Sequence, residues 1–497
     1  MIWQGMERAI IKTLETGMAL GKAGNQEPPP SGLFLGVARH AYDARRWEKV
    51  FLAGRDRLKH VYILGSTGSG KTKLIEFFLR QDILAGRGFC LLDAHGDLCA
   101  NVLEYLACLA AGQEPLSFLE NLAEKLIIIE PFNQHSAVAF NPLEANRYSA
   151  YAQASEMMGI FKKIWQDAYW GPRMEELLRS ALVTLSENGL TLLETERLLV
   201  DASFRDRMVQ GLKNDTVRDY WLSRYNLLSD KMQAVYREPI LNRLSVFLGD
   251  PGLRLMLGQS RSTIDFRRIM DEGKWLIINL SKGQLRENSH LLGALLIAKL
   301  KLAAMSRADL PESTRRPFYA FVDEFQNFIG EDFETILSEA RKYGLGLTMA
   351  HQNLDQLDRK LTSSILGNVG TQIFFRLSHR DASLIAQEMD QKMRPLVEKS
   401  LIDFRVGQAY VKLRGEKPRQ LQTVHVPRAK PSEGFIELIK DISFANFSRP
   451  RRQVEAEIAK RLVMFSPASP LSDKSPQKGK AIRAGHRREQ PEGWNDW

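Results

Sequence analysis

Residues 61–72 read VYILGSTGSGKT, an apolar run that ends in a glycine-rich segment closed by a lysine and a threonine. The segment 65–72 fits the pattern G-x-x-x-x-G-K-[ST], whose backbone N–H groups wrap phosphate oxygens. In that pattern the lysine reaches the β- and γ-phosphates, and the hydroxyl joins a Mg²⁺ shell. The run before the loop predicts a buried strand and KLIEFFLRQDIL (73–84) predicts a helix after it, which is the context that the motif requires. The predicted nucleotide contacts are Gly65, Ser66, Thr67, Gly68, Ser69, Gly70, Lys71 and Thr72.

Further apolar runs alternate with helical segments on both sides of this loop. Strand–helix alternation of this kind indicates an α/β fold with a mainly parallel sheet. Between about residues 149 and 260 the pattern changes, because Leu and Met recur at helical spacing and little strand signal remains. An all-helical insertion is therefore predicted inside the α/β core. The predicted core strands are FCLLDA (89–94), LIIIE (126–130), WLIINL (275–280), FYAFVD (318–323), LGLTMA (345–350) and TQIFFRL (371–377), followed by GQAYVKL (407–413) and RQLQTVHV (419–426).

These patterns divide the chain into five predicted parts. The first is an N-terminal helix, a Pro/Gly-rich linker and a small lead-in containing strands. Two parts of the α/β core flank the helical insertion, and a C-terminal helical segment with a basic disordered tail closes the chain. The predicted bounds are 1–52, 53–148, 149–262, 263–432 and 433–497.

The stretch YAFVDEFQNF (319–328) ends an apolar strand in two adjacent carboxylates, Asp323 and Glu324. Such a strand is the expected partner of the phosphate loop: the first acid would hold Mg²⁺ through water, and the second would act as general base on the attacking water. The alternative is a strand end with two solvated acids. The pattern assigns no role to Gln326 or Asn327.

Two other strand ends carry polar side chains that the fold would bring to the same edge. In LGLTMAHQNLDQL (345–357), Gln352 could sense the γ-phosphate, whereas the adjacent His351 is more typical of a structural residue. In LLDAHGDL (91–98), Asp93 and His95 could form a separate metal site or a loop that positions the nucleotide or a neighbouring subunit.

A helix is predicted over EDFETILSEARKYG (331–344), with Arg341 in its last turn. The residue pattern leaves two readings open. Arg341 could complement the helix dipole, or it could be an arginine finger that reaches a neighbour's γ-phosphate.

The composition is that of a soluble globular protein with an anionic partner. Of 497 residues, 44% are hydrophobic, and the formal net charge is +10. Residues 449–497 contain 11 Lys/Arg against 6 Asp/Glu, so about half of the excess lies in the last tenth of the chain. The three cysteines, Cys90, Cys99 and Cys108, lack zinc-ligand spacing and are interpreted as reduced thiols. No run of 18 apolar residues and no signal peptide is found, so a cytoplasmic location is expected.

Taken together, these motifs resemble the HerA/FtsK superfamily of ring ATPases, and within it the type IV secretion coupling proteins, also called conjugative DNA-transfer ATPases. The resemblance covers about residues 33–427. It implies a RecA-like P-loop ATPase core, ATP and Mg²⁺ as ligands, a homo-hexamer formed on nucleotide or DNA, and DNA moved through its channel. It also implies that the helical insertion engages substrate, and that a relaxase or a secretion-channel protein is a partner. By its place eleven residues before Gln352, Arg341 is the implied arginine finger, with Arg376 as its competitor.

The chain departs from this family in two places. Coupling proteins typically begin with transmembrane helices, which this chain lacks, so contact with the inner membrane would need a partner. The family also often places an Arg before the His that precedes the first core strand, where this chain has Lys59, which keeps the charge but not the planar fork. The alternatives left open are a HerA-like ATPase for DNA processing or anti-phage defence beside a nuclease, and an ATP-binding adaptor that recruits protein substrates.

Overall fold

The computed structural model describes residues 32–39, 47–112, 115–144, 149–165, 171–329, 333–431 and 434–464. The predicted N-terminal helix and most of its linker, together with the basic tail from residue 465 onward, lie outside these residues.

The described residues contain thirteen strands, which are numbered here in chain order. They are β1 (Leu33–Arg39), β2 (Trp47–Leu52), β3 (Val61–Leu64), β4 (Phe89–Asp93), β5 (Leu126–Ile129), β6 (Ser136–Val138), β7 (Trp275–Asn279), β8 (Phe318–Asp323), β9 (Leu345–His351), β10 (Thr371–Phe374), β11 (Gln408–Leu413), β12 (Arg419–Gln422) and β13 (Ser448–Pro450).

The α-helices of the same residues are numbered in the same way. They are α1 (Gly54–Arg57), α2 (Lys71–Leu84), α3 (Asp97–Ala110), α4 (Pro115–Lys125), α5 (Ala150–Ile164), α6 (Pro172–Glu187), α7 (Thr195–Val200), α8 (Ala202–Gln210), α9 (Asp215–Tyr220), α10 (Asp230–Leu248), α11 (Pro251–Leu257), α12 (Phe266–Glu272), α13 (Lys282–Leu285), α14 (Asn288–Met305), α15 (Phe333–Glu339), α16 (Arg359–Asn368), α17 (His379–Met389), α18 (Arg394–Asp403), α19 (Phe435–Phe447) and α20 (Arg451–Met464).

Eleven strands form one sheet in the order β2-β1-β12-β11-β10-β3-β9-β8-β4-β7-β5. The seven strands from β10 to β5 are parallel to one another. The remaining four extend the sheet beyond β10 by antiparallel pairing. The predicted α/β fold with a mainly parallel sheet is confirmed.

The parallel strands are buried on both faces, which explains why their sequences are continuous apolar runs rather than alternating ones. In β3, Val61 and Ile63 join the apolar cluster on one face, and Tyr62 and Leu64 join the cluster on the other. Because the strands run in the same direction, all their carboxyl ends meet at one edge of the sheet. We call the side of the sheet formed by these carboxyl ends the carboxyl edge, and the opposite side, formed by the amino ends, the amino edge. The carboxyl edge carries the phosphate loop, and the amino edge carries the segments that enter the strands.

Between β6 and β7 the described residues are helical from α5 to α11, with one π-helical turn at Trp221–Tyr225. These helices share a continuous apolar cluster with one face of the sheet. Helix α5 also contacts α14, where Lys301 Nζ lies 3.0 Å from Glu156 Oε1. The helices thus occur where the sequence predicts an insertion, and their treatment as a separate domain remains a prediction.

Two strand pairings join the ends of the described chain to the core, and the sequence does not predict either of them. The lead-in strands are β1 and β2, and β1 pairs with β12 in the main sheet. The C-terminal segment contains the helices α19 and α20, and the short strand β13 between them pairs with β6 across more than three hundred residues of sequence. The predicted strand over 419–426 is also shorter and ends at Gln422.

The apolar helix α14 is packed into the core, and most of its side chains are buried. Within the residues that the structure describes, no helix combines the length and the apolar character needed to span a membrane.

Candidate functional site

The phosphate loop connects β3 to α2 at the carboxyl edge of the sheet. Gly70 adopts φ +119° immediately before α2, a conformation that favours glycine over any residue with a side chain. The Lys71 ammonium donates hydrogen bonds to the carbonyl oxygens of Gly65 (2.7 Å) and Ser66 (3.3 Å), so it crosses the mouth of its own loop. Burial lowers the pKa of Lys71, and the nearby carboxylates of Asp323 and Glu324 oppose that shift.

Strand β8, which lies two places from β3 in the sheet, brings its two carboxylates to this loop, as the sequence predicts. The Thr72 hydroxyl donates to Asp323 Oδ2 at 3.0 Å. Asp323 is 5% exposed, and burial, with the charges of Glu324 and Asp93, raises its pKa to about 6. A hydroxyl and a crowded, buried carboxylate are oxygen donors of the type that Mg²⁺ takes, and a cation would relieve the repulsion between the acids. The residues present therefore fit a magnesium ion.

Glu324 is held by its neighbours in a defined orientation. Its backbone adopts φ +54°, an uncommon conformation for a residue other than glycine. Its carboxylate accepts hydrogen bonds from Gln326 Nε2 (2.7 Å) and from Gln352 Nε2 (2.7 Å), one on each oxygen. The side chain is 7% exposed. Strained backbone that is retained at a buried polar residue is typical of functional sites.

Gln352 connects the loop to this carboxylate. Its amide nitrogen donates to Glu324, and its amide oxygen accepts a hydrogen bond of 2.8 Å from the Thr67 hydroxyl in the phosphate loop. A change in the loop at Thr67 would therefore reach Glu324 through one side chain. The structure makes this link through Gln352, the residue that the sequence analysis proposes as a sensor of the γ-phosphate.

Two residues to which the sequence assigned no role support Glu324. Gln326 binds its carboxylate, and Asn327 Nδ2 donates to its backbone carbonyl at 2.9 Å. Lys282, which the sequence analysis missed, donates from Nζ to Asn327 Oδ1 at 3.1 Å. No local pattern could reveal Lys282, because it follows β7 and lies 45 residues from its partner.

Asp93 shapes a turn rather than offering free oxygens. Its two carboxylate oxygens accept hydrogen bonds from the backbone N–H groups of His95 and Cys99, both at 2.9 Å. The His95 side chain is exposed in the turn that precedes α3. Of the two readings left open by the sequence, this geometry favours a positioned loop.

His351 is a structural residue, buried beside Tyr62. Its Nε2 lies 2.6 Å from the Tyr62 hydroxyl, and burial lowers the pKa of its imidazole to about 3. The cysteines Cys90 and Cys99 are likewise buried and free, and burial raises the pKa of both thiols.

The cations singled out in the sequence lie at opposite edges of the sheet. Arg376 follows β10 at the carboxyl edge, where its Nε lies 3.4 Å from Ser66 Oγ and its carbonyl accepts from the Ser66 N–H. Arg376 therefore belongs to the loop of its own chain, which counts against it as the competing finger for a neighbour. Lys59 and Arg341 precede β3 and β9 at the amino edge. The seven residues of β9 separate Arg341 from the loop edge by roughly 20 Å.

The segment that carries Arg341 differs from its predicted form. The α-helix ends at Glu339, and residues 340–343 form a 3₁₀ turn that stops at Gly344. Phe333, Ile336, Leu337 and Ala340 recur at helical spacing along this segment and are buried. Arg341 is exposed, and the part of the chain that the structure describes gives its guanidinium no hydrogen-bond or ion-pair partner. The first two residues of the predicted helix lie outside the described residues.

A family model described as the type IV secretion-system coupling protein DNA-binding domain matches residues 48–393. This match covers most of the chain and includes every motif described above. The chain belongs to the type IV coupling protein family.

A similar coupling protein from another organism supports this assignment. The type 4 coupling protein DotL of Legionella pneumophila is 22% identical over 395 residues, which are 69% of this chain and 50% of DotL. The chain thus spans about half the length of that curated relative.

Solved structures of the coupling protein TrwB and of VirB4 share the fold. The bacterial conjugative coupling protein TrwB, solved as TrwBdeltaN70, has a TM-score of 0.50 at 16% identity, and the match covers 78% of this chain and 89% of the solved chain. Structures of TrwB with a non-hydrolysable ATP analogue and with ADP and Mg²⁺ have the same TM-score. VirB4 of Thermoanaerobacter pseudethanolicus also has a TM-score of 0.50, at 14% identity, and covers 82% of this chain and 99% of VirB4. At these identities the likeness concerns the fold of the coupling-protein core.

Proposed function

We propose that this coupling-protein chain is an ATP-hydrolysing motor that moves DNA. The observation that carries the proposal is the chain of hydrogen bonds from Thr67 through Gln352 to Glu324, which joins a phosphate loop to a buried carboxylate. A chain that only bound nucleotide would need the loop, but it would not need an acid aligned by two amide donors beside it.

In the proposed reaction Lys71 exchanges partners. Its ammonium leaves the carbonyls of Gly65 and Ser66 and binds the β- and γ-phosphate oxygens of ATP, while the backbone N–H groups of the loop bind the same phosphates. Thr72 and Asp323 would hold Mg²⁺, which offsets phosphate charge and helps to orient the phosphates. The movement of Lys71 reopens the loop for the substrate.

Glu324 is the proposed general base. It accepts a proton from water as the water oxygen attacks the γ-phosphorus, and the bond from that phosphorus to the leaving oxygen of ADP breaks. Gln352 orients the carboxylate and, through Thr67, would respond to the loss of the γ-phosphate. Gln326 holds the other carboxylate oxygen, so rotation of the base away from the water is restricted.

A second copy of the chain is proposed to supply the remaining positive charge. Arg341 lies at the edge opposite its own phosphate loop, farther away than its side chain reaches. In a ring, the amino edge of one copy could pack against the carboxyl edge of the next copy. Arg341 of the first copy would then stabilise the γ-phosphate charge of ATP bound to the second copy. We propose a homo-hexamer for this arrangement, as the family resemblance implies.

DNA is the proposed polymer. The family is described by its DNA-binding domain, and the chain carries a net charge of +10. Lys and Arg side chains that neutralise phosphates release counterions, so binding of this kind weakens as salt rises.

The test is steady-state ATP hydrolysis by the full chain with and without single- and double-stranded DNA. We expect DNA to stimulate turnover and the stimulation to fall steeply between about 50 and 200 mM salt. ATP turnover that does not respond to either form of DNA would contradict a DNA motor and favour a protein-delivery adaptor. Absence of any turnover would contradict the enzyme assignment itself.

A further inference from the structure

His60 lies at the amino end of β3 and has a conformation that its neighbours must maintain. The residue is 1% exposed, and its backbone φ is +67°. For a residue with a Cβ, this left-handed conformation costs about 1–2 kcal/mol relative to the ordinary helical region. Strain of this size persists only where surrounding contacts hold it, and such positions cluster at functional sites.

Both ring nitrogens of His60 bind the backbone on either side of Arg341. Nδ1 accepts a hydrogen bond of 3.0 Å from the N–H of Leu347, and Nε2 lies 3.1 Å from the carbonyl oxygen of Leu337. Because an amide N–H can only donate and a carbonyl can only accept, Nε2 carries the proton and the ring is neutral. One side chain thus ties together the two ends of the segment 337–347.

The backbone of Lys59 and His60 is held in place by hydrogen bonds to the segment that begins β10. The N–H of Gly370 donates to the Lys59 carbonyl at 2.6 Å, and the N–H of Thr371 donates to the His60 carbonyl at 3.3 Å. A Cβ on Gly370 would lie 2.6 Å from Lys59 Cβ, so glycine is required for this approach. The Lys59 ammonium is oriented by Asp56, whose Oδ1 lies 2.7 Å away.

We propose that His60 is a positioning residue that holds Lys59 and Arg341 as a single two-cation surface for the phosphate-loop edge of a second copy of this chain. The proposal rests on the proposed ATP hydrolysis. Loss of the imidazole would release Leu337 and Leu347 and let the turn that carries Arg341 move, while Lys59 would lose the backbone conformation that aims it. The phosphate loop of the altered chain would keep its structure, since it lies at the opposite end of β3 and makes none of these contacts.

The test compares His60→Ala with His60→Gln, which keeps an amide donor and acceptor, in three measurements. His60→Ala should lower kcat about 10- to 100-fold, because a small misplacement of a catalytic group has effects of this size. Its affinity for ATP should stay within about twofold of wild type, since its own loop is intact. His60→Gln should retain more turnover than His60→Ala.

Mixing distinguishes positioning from general damage. His60→Ala protein mixed with Lys71→Ala protein should regain turnover, because the second chain presents an intact amino edge to the first chain's loop. Unchanged kcat in His60→Ala would overturn the proposal. A parallel loss of ATP affinity would also overturn it. So would a mixture that does not regain turnover under conditions in which the mixture of Arg341→Ala and Lys71→Ala does.

Hydrogen exchange separates failure of this proposal from failure of the proposed function. The Leu347 amide should exchange faster in His60→Ala, while residues 65–72 keep their wild-type exchange. Wild-type protein without turnover would overturn the proposed function and, with it, the reaction that His60 serves. Turnover in the wild type with unaltered Leu347 exchange in His60→Ala would overturn the positioning role alone.

Discussion

The two edges of the parallel sheet differ in how fully one chain satisfies their polar groups. At the carboxyl edge, Lys71, Asp323, Glu324 and Gln352 bond to one another or to the loop. At the amino edge, Arg341 is exposed and its guanidinium has no hydrogen-bond or ion-pair partner in the described part of the chain, although the turn that carries it is held by a buried histidine. A cation placed in this way is available to a second copy of the chain, as the proposed shared catalytic centre requires.

The largest expected effect falls on the carboxyl edge. Glu324→Gln should bind ATP but lower kcat by up to about 10⁴-fold, because the amide keeps the shape of the side chain and cannot accept the proton. Steady-state hydrolysis with a separate ATP-binding assay checks this. Asp97→Asn, which alters an exposed carboxylate at the same edge, should leave turnover unchanged. Hydrolysis near the wild-type rate in Glu324→Gln would remove this residue from the base role.

On the amino edge, Arg341→Ala should lower kcat by about 10³-fold, the lower end of what an arginine finger contributes. Affinity for ATP should change little, because the side chain is remote from the loop of its own chain. The matched control is Lys342→Ala, which removes the adjacent exposed cation. Equal losses in both variants would indicate a general charge effect rather than a finger.

One feature is common to the two edges: each has a buried histidine whose pKa is lowered by burial, His60 to about 4 and His351 to about 3. His351 faces Tyr62, Gln356 and Lys71, and His60 faces Arg341. Since the unfolded chain takes up these protons below about pH 6.5, stability is complete above that pH and is lost as pH falls. Each histidine should cost about 2 kcal/mol of unfolding free energy at pH 5 relative to pH 7.

Denaturant unfolding of the wild type and His351→Asn at both pH values measures this effect. The variant should lose about 2 kcal/mol less than the wild type on acidification. Identical losses would show that His351 is not kept neutral by burial.

The smallest expected effect concerns the link between loop and base. Gln352→Ala removes the hydrogen bonds to Thr67 and Glu324 and should lower kcat about tenfold, the equivalent of about one net hydrogen bond. The effect should appear in kcat rather than in ATP affinity, because the amide contacts the base and not the loop backbone. A change confined to affinity would place Gln352 in binding instead of sensing.

Much of the fold could be predicted because it is encoded locally. The phosphate loop, the buried strands and the strand that ends in Asp323 and Glu324 each carry their signal within about ten residues. Parallel order then brings Gln352 to the same edge without any further information. The helical stretch between residues 149 and 262 is visible in the same way, through the spacing of its apolar residues.

The parts that sequence reasoning missed depend on contacts between distant segments. The pairing of β1 with β12 and of β13 with β6 joins residues that are hundreds of positions apart, and short strands of mixed polarity do not specify partners. Lys282 reaches the carboxyl edge beside Glu324 only because β7 lies two places from β8 in the sheet. His60 reads as an ordinary buried histidine until its two backbone partners and its positive φ are seen.

The central claim is that one chain supplies the loop and another supplies the arginine. The most direct measurement is ATP turnover in a mixture of Arg341→Ala and Lys71→Ala proteins, each inactive alone, under conditions that allow subunits to exchange. Turnover should return in part, because the Arg341→Ala chain keeps its loop and the Lys71→Ala chain keeps its arginine. A mixture that assembles, exchanges subunits and stays as inactive as its components would contradict the shared site.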